Sequence, residues 1–113
     1  MDCIFCKIAA GEIPADILHT DEEVIAFRDI NPQAPVHVVI IPGEHFTTLA
    51  ELPEEKSVLV GHMVHVANKL AVSEGISESG YRVVINCGKQ GGQVVQHLHM
   101  HLLGGRQLDG NLG

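Results

Sequence analysis

Apolar residues recur with a helical period in two parts of the chain, and each part predicts a helix. Between positions 4 and 9 the apolar residues have helical spacing, and Gly11 predicts the end of this short helix. A longer stripe of apolar residues predicts a second helix, from about Pro53 to Glu74. Its bounds follow from Pro53, because proline suits a first helical position, and from Gly75, because glycine suits the end of a helix. One face of this long helix is apolar and is expected to pack on a sheet.

Five runs of β-branched or apolar residues predict five strands. They cover residues 16–19, 24–28, 36–41, 81–85 and 97–103. Residues 31–35 contain two prolines and are predicted to form a loop, because proline does not fit a central strand. A weak helical turn is expected at 47–52. The order of helix, three strands, helix and two strands predicts an α+β fold with an antiparallel sheet, in a single domain spanning residues 1–113.

Composition and charge exclude several classes of function. Apolar residues make up 45% of the chain, which is enough to bury a core. Seven Lys and Arg against 14 Asp and Glu give a net charge of −7, which argues against nucleic-acid binding through a basic surface. No apolar run approaches the roughly 20 residues of a membrane span. Three cysteines without a signal-peptide pattern indicate a reducing compartment. We therefore expect a cytoplasmic protein with neither a nucleic-acid nor a membrane partner.

Histidine is unusual in both number and placement. The chain has eight, and His97, His99 and His101 alternate along the last predicted strand. Alternate residues of a strand share one face at about 6.6–6.8 Å spacing, so the three imidazoles are expected to point the same way. Imidazole is well suited to nucleophilic attack and proton transfer near neutral pH. A metal site and an ordinary polar strand face are the alternative interpretations.

A glycine-rich segment, Gly88 to Gly92, precedes these histidines. Glycines allow backbone N–H groups to approach an anion closely, and a group of such donors can hold a phosphate. Alone, the segment would indicate only a turn. Its position just before the histidine strand favours a phosphate site.

These motifs together resemble the histidine triad (HIT) family. The matching pattern is Gly92-Gln93-x-Val95-x-His97-Leu98-His99-Met100-His101-Leu102-Leu103. Residues 2–8 and 11–14 resemble the family's N-terminus, and residues 27–37 resemble its nucleoside-binding segment. Residues 102–106 resemble the Hint branch, the purine nucleoside phosphoramidases. The resemblance covers nearly the whole chain.

The resemblance implies both a fold and an activity. The implied fold is a HIT-like antiparallel five-stranded sheet with one long helix and a short N-terminal helix, the sheet being continuous across a homodimer. The implied activity is hydrolysis of purine nucleoside 5′-phosphoramidates, conjugates of AMP or GMP with an amine, through a covalent nucleotidyl-histidine. Two alternatives remain: another nucleotidyl hydrolase or transferase, of the dinucleoside polyphosphate type, and a nucleotide-sensing regulatory protein with vestigial catalysis.

The resemblance also assigns roles to residues. His99 would be the nucleophile, and His101 and His37 would contact the phosphate and help to move protons. The phosphate would be held by Asn86 and by the backbone of Gly92, Gln93 and Val94. Asp29 would bind the ribose hydroxyls. The purine would be enclosed by Ile4, Phe5, Ile8, Phe27, Arg28 and Ile30. Val94 departs from the Hint pattern, which commonly has a serine near the leaving group.

The remaining candidate site is a metal centre. Cys3-x-x-Cys6 alone could be redox-active, metal-binding or incidental. Some bacterial family members bind zinc with two cysteines and two histidines at matching positions, which adds His45 and His97. Four such ligands make a closed, structural zinc site. We expect structural zinc at these residues and no organic cofactor.

Overall fold

The five strands form one antiparallel sheet, and two helices accompany it. The computed structural model describes residues 3–113. The elements are α1 (Ile4–Ala9), β1 (Ile17–Thr20), β2 (Val24–Arg28), β3 (Val36–Pro42), α2 (Ser57–Ser73), β4 (Tyr81–Val84) and β5 (Met100–Gly104). In the sheet the strand order is β1-β2-β3-β5-β4, and every neighbouring pair is antiparallel.

The bounds of the helices and strands agree with those predicted from the sequence to within one residue, except at two places. Residues Glu54–Lys56 form a short 3-10 turn, so α2 begins at Ser57 rather than Pro53. The last strand was predicted to begin at position 97, which is wrong, because β5 begins at Met100. The reason is a hydrogen bond to a residue outside the sheet. The amide of Leu98 donates to the carbonyl of Phe46 at 2.6 Å, and this holds the segment away from β3.

Side chains of β3 and β5 point alternately to the two faces of the sheet, so the apolar core residues lie on one face and the histidines on the other. Val38 and Ile40 on β3, with Met100 and Leu102 on β5, are fully buried on the face that α2 covers. On the helix they pack against Leu59, Met63, Val66, Ala67, Leu70 and Ala71. Burying each large apolar side chain contributes about 1.5–3 kcal/mol.

The opposite face of the sheet carries a smaller apolar cluster beneath α1. The cluster is formed by Cys3, Phe5, Phe27, Val39 and Ile41. Because residue periodicity in a strand is two, His37 on β3 and His101 on β5 belong to this face as well. The register places His101 opposite Val39, two residues from His37.

A carboxylate joins the turn before β2 to the long helix. The Oδ2 atom of Asp21 accepts from Nε2 of His19 at 2.7 Å and from Nε2 of His62 at 2.8 Å. Its Oδ1 atom accepts from the amides of Glu23 and Val24. Burial alone would raise the pKa of Asp21, but these hydrogen bonds outweigh it and hold the pKa well below its usual range.

This carboxylate predicts a pH-dependent contribution to stability. A depressed pKa stabilises the fold at pH values above the unfolded pKa, near 4, and this stabilisation is lost as the pH falls further. We expect Asp21→Asn to lower the free energy of unfolding by about 1 kcal/mol at pH 7, a value discounted for solvent screening, and by less at pH 2.5. Urea unfolding at the two pH values measures this. The exposed Glu55, changed to Gln, is the control; an Asp21→Asn effect that does not depend on pH would contradict the prediction.

Candidate active site

Three predicted catalytic histidines meet at one wall of a cavity. Nε2 of His37 lies 2.9 Å from Nδ1 of His101. The rings of His99 and His101 meet edge to face, with an interplanar angle of 75° and their centroids 4.9 Å apart. His37 and His99 are buried, and His101 is half-buried. The structure thus brings together the residues that the sequence assigned to the reaction.

The hydrogen bonds define which nitrogen of His37 and His101 carries the proton. The backbone amide of Gln33 donates to Nδ1 of His37 at 3.0 Å. Nδ1 is therefore a lone pair, and the proton of a neutral His37 is on Nε2, which donates to Nδ1 of His101. A neutral His101 consequently carries its proton on Nε2.

Burial keeps both of these rings neutral in the free protein. Desolvation, together with the positive charge that His99 and His37 could carry, lowers the pKa of His101 to about 4. Desolvation also lowers the pKa of His37, and the nearby charge of Asp29 only partly opposes it. At neutral pH, His101 therefore has a donor, Nε2–H, available for a phosphate or a leaving group.

His99 has the opposite arrangement. Its Nδ1 lies 2.6 Å from the carbonyl oxygen of His97, to which it donates. The proton of the neutral ring is therefore on Nδ1, and Nε2 retains its lone pair. A neutral imidazole with a free lone pair is the form that attacks an electrophile.

The cavity beside these histidines has a volume of about 520 Å³. This is within the range of small-molecule sites, about 300–1,000 Å³. It is lined by every predicted nucleoside residue, Ile4, Phe5, Ile8, Phe27, Arg28, Asp29 and Ile30, and by His37, His99, His101, Gly92 and Val94. Ile13, Pro14, Ala15, Gln33, Val39 and Val95 also line it and were not assigned roles from the sequence. In the sequence, Ile13 and Pro14 were visible only as part of the N-terminal resemblance.

Two charged residues of the wall are already engaged by other groups. The guanidinium of Arg28 makes two hydrogen bonds to Glu74, at 2.6 and 3.0 Å, and lies 3.3 Å from Asp16. The hydrogen bond to Glu74 raises the pKa of Arg28. Asp29 accepts from the amide of Asn31 through Oδ1, and its Oδ2 lies 3.5 Å from Nε2 of His37. Oδ2 of Asp29 thus remains directed toward His37, one of the predicted catalytic histidines.

The glycine-rich loop is closed on itself more tightly than the sequence suggested. The amide of Gly92 donates to the carbonyl of Lys89, and the amide of Gln93 donates to that of Gly88. Within residues 3–113, the amide of Val94 has no such partner, so of the three predicted backbone donors it is the one available to a phosphate. The Val94 side chain is 87% exposed.

Asn86 and Gln93 support this loop from behind and do not line the cavity. Nδ2 of Asn86 donates to the carbonyl of Gly91 at 2.8 Å. Gly91 has to be glycine here, because a Cβ atom would lie 2.4 Å from the carbonyl oxygen of Cys87. The side chain of Asn86, which the sequence assigned to the phosphate, therefore shapes the loop, and so does the side chain of Gln93, whose backbone alone had been assigned to it.

The four predicted metal ligands form one cluster. Nδ1 of His97 lies 3.3 Å from Sγ of Cys3, 3.6 Å from Sγ of Cys6 and 3.1 Å from Nδ1 of His45. Sγ of Cys6 lies 3.2 Å from Nδ1 of His45. A tetrahedral zinc ion would separate such ligand atoms by about 3.3–3.8 Å. The donor set and its spacing therefore fit zinc with little movement.

The protonation state of His97 supports the same conclusion. Its Nε2 donates to the carbonyl of Pro42 at 2.9 Å, which leaves a lone pair on Nδ1 facing the other three ligands. Burial lowers the pKa of His97, which favours the neutral ring that binds a metal. Asp29, His37 and His101 form a second close group of possible ligands. There the amide of Gln33 keeps the proton of His37 on Nε2, so this second group favours proton transfer over metal binding.

Comparison with known proteins decides the family. A family model described as "Scavenger mRNA decapping enzyme C-term binding" matches residues 2–110. The "Purine nucleoside phosphoramidase" of Escherichia coli (strain K12) is 50% identical over 107 residues, covering 95% of this chain and 90% of that protein. A solved HIT family hydrolase from Legionella pneumophila Philadelphia 1 has a TM-score of 0.96 and 50% identity, with 99% of this chain and 100% of that chain covered. The chain belongs to the histidine triad (HIT) family.

The expectations about the family and about the fold of the single chain are confirmed for this HIT protein. Its five-stranded antiparallel sheet with one long and one short helix matches the HIT fold, and the comparisons place it among HIT-family hydrolases. The "14 kDa zinc-binding protein" of Zea mays is 51% identical over 108 residues, covering 94% of this chain and 84% of that protein. The cluster of Cys3, Cys6, His45 and His97 fits a zinc site, as the sequence predicted. Over residues 3–113, no helix is long and apolar enough to cross a membrane.

Proposed function

We propose that this HIT-family protein hydrolyses purine nucleoside 5′-phosphoramidates through a nucleotidyl group carried by His99. One observation supports this above all: beside a cavity of nucleoside size, His99 presents a lone pair while its neighbour His101 presents an N–H. A nucleophile and a proton donor on adjacent rings are what displacement of an amine from phosphorus requires.

In the first step, Nε2 of His99 attacks the α-phosphorus and the P–N bond breaks. The electron pair of that bond leaves on nitrogen, which takes a proton from Nε2 of His101. Nε2 of His37 lies 2.9 Å from Nδ1 of His101 and 3.5 Å from Oδ2 of Asp29, so a proton from the solvent side can follow along these groups. The carbonyl of His97 accepts from Nδ1 of His99 and stabilises the positive charge of the nucleotidyl-imidazole.

In the second step, water attacks the same phosphorus from the side that the amine has left. It gives a proton to His101, and the excess proton leaves by the same path. The bond between phosphorus and His99 breaks, its electron pair returns to Nε2, and the nucleoside monophosphate is released. Since Val94 has no hydroxyl, protonation of the leaving group depends on His101 in this chain.

A turnover assay separates this proposal from its alternatives. Purified protein is given adenosine 5′-phosphoramidate and, separately, a dinucleoside polyphosphate. We expect release of AMP and ammonia from the first at a higher kcat/KM. Faster cleavage of the second substrate would favour a dinucleoside polyphosphate hydrolase. Tight binding of AMP with no turnover of either would favour a nucleotide-sensing protein.

We also propose that two chains form a homodimer through α2 and the β4 edge of the sheet. Val58 and Val72 on α2 are 82% and 67% exposed, and β4 lies at the sheet edge with Val83 partly exposed. Pairing these surfaces would cover apolar side chains around a twofold axis and extend the sheet across both chains. Sedimentation should show a dimer at micromolar concentration, and a monomer there would refute it.

The free thiols that the metal site needs favour a reducing compartment, so we place the protein in the cytoplasm.

A further inference from the structure

Gln93 is a buried glutamine whose side chain is fully hydrogen-bonded. The residue is 7% exposed. Its Oε1 accepts from the amide of Gly88 at 2.8 Å. Its Nε2 donates to the carbonyl of Thr47 at 2.7 Å and to that of Val95 at 3.0 Å. Both N–H groups and the carbonyl oxygen of the side chain are therefore in use within the protein.

These bonds connect three separate segments of the chain. Gly88 begins the glycine-rich loop, which Gln93 also closes through its own amide. Thr47 lies two residues after the metal ligand His45. Val95 lies two residues before the metal ligand His97, whose amide donates to the Val95 carbonyl at 2.9 Å. One side chain thus fixes the loop against the two segments that carry the histidine ligands.

We propose that Gln93 is a positioning residue that sets the affinity for the phosphate group without touching it. The proposal rests on the proposed function, because it assumes that the loop receives the phosphate. Gly92 and Val94, on either side of Gln93, line the cavity, so a loop displaced by loss of these bonds would move the Val94 amide. The apolar nucleoside residues lie on α1, on β2 and, for Ile30, just after β2, and none of them takes part in these bonds.

Two substitutions at this position test the three hydrogen bonds in different ways. Gln93→Glu keeps an acceptor for Gly88 but places a second oxygen against the carbonyls of Thr47 and Val95. Gln93→Met keeps the length of the side chain and removes all three bonds, so that the part-buried amide of Gly88 and carbonyl of Thr47 lose the partners they have here. Gln96 is a matched control, because it is exposed and its side chain has no hydrogen-bond partner in the described part of the chain. Gln96→Glu and Gln96→Met make the same chemical changes outside the loop.

The measurement is the dissociation constant of AMP and of adenosine for the zinc-loaded protein and each variant, by calorimetry. In both Gln93 variants we expect the constant for AMP to rise about tenfold or more and that for adenosine to stay within about twofold. The KM for adenosine 5′-phosphoramidate should rise in parallel. Both Gln96 variants should match the unmodified protein.

The outcomes separate this inference from the proposed function. If the unmodified protein binds AMP no more tightly than adenosine, the loop is not a phosphate site and the proposed function fails first. If it prefers AMP and the Gln93 variants keep that preference, the positioning role is wrong. If the variants lose affinity for both ligands equally, Gln93 is merely structural and the proposal is also overturned. Should Gln93→Glu not fold, Gln93→Met gives the same decision.

Discussion

His99→Ala is expected to lower kcat for adenosine 5′-phosphoramidate by about 10⁴-fold or more, with the dissociation constant of AMP changed only a few-fold. In the proposed mechanism Nε2 of His99 is the atom that bonds to phosphorus, whereas the cavity wall proposed to hold the nucleoside is left intact. Rapid quench followed by mass spectrometry of the unmodified protein should locate a nucleotidyl group on His99. Calorimetry with AMP measures the binding.

Two further variants make this result specific. His101→Ala should leave a slow enzyme with a shifted pH profile, because it removes the proton donor and keeps the nucleophile. His65→Ala, on an exposed position of α2, should have no effect. An adduct on His37 or His101, or near-full activity of His99→Ala, would show that the nucleophile has been assigned wrongly.

Removal of zinc is expected to raise KM by about tenfold while kcat changes less than about threefold. The ligand cluster lies on one side of α1 and the cavity on the other. Cys3 caps the helix by accepting from the amide of Cys6, while Ile4 and Phe5 line the cavity. A six-residue helix is not stable on its own, so loss of the metal should loosen this wall. The proposed chemical step depends on His99 and His101, which are not among the four residues of the metal cluster.

Three measurements check the zinc prediction. Elemental analysis of protein purified without chelator should give about one zinc per chain. After chelation, hydrogen exchange should accelerate in residues 3–9 more than in β3 and β5. Cys6→Ser should reproduce both the faster exchange and the higher KM, whereas Cys87→Ser, at an exposed cysteine away from the cluster, should not. Absence of near-stoichiometric zinc would refute the site, and a loss confined to kcat would refute its structural role.

The sequence predicts those features that depend on local pattern or on the family's motifs. The five strands and both helices follow from apolar periodicity, and the residues of the cavity and the metal cluster follow from the resemblance. The start of β5 does not, because the bond from Leu98 to Phe46 joins residues more than fifty positions apart. The closure of the glycine-rich loop does not follow either. The amide of Gln93 donates to the carbonyl of Gly88, and the side chain of Gln93 reaches as far as the carbonyl of Thr47.

Other features depend on groups that a sequence does not display. The tautomer of His37 is set by the backbone amide of Gln33, and that of His99 by the carbonyl of His97. Backbone groups carry no residue identity, so no motif could indicate them. The bond between Asp21 and His62 likewise depends on how closely α2 approaches the turn before β2.

On β5 the proposed proton donor and the core residues occupy alternate positions. His101 stands between Met100 and Leu102, which are almost completely buried against α2. Inserting one residue between His99 and His101 would turn an imidazole into the apolar core and a leucine toward the phosphate. Inserting two would restore the faces but displace His101 along the strand by about 6.8 Å, beyond reach of His37. Changes of length are therefore confined to the loops, whereas Met100 and Leu102 can be exchanged for other apolar residues of similar volume without altering the chemistry on the opposite face.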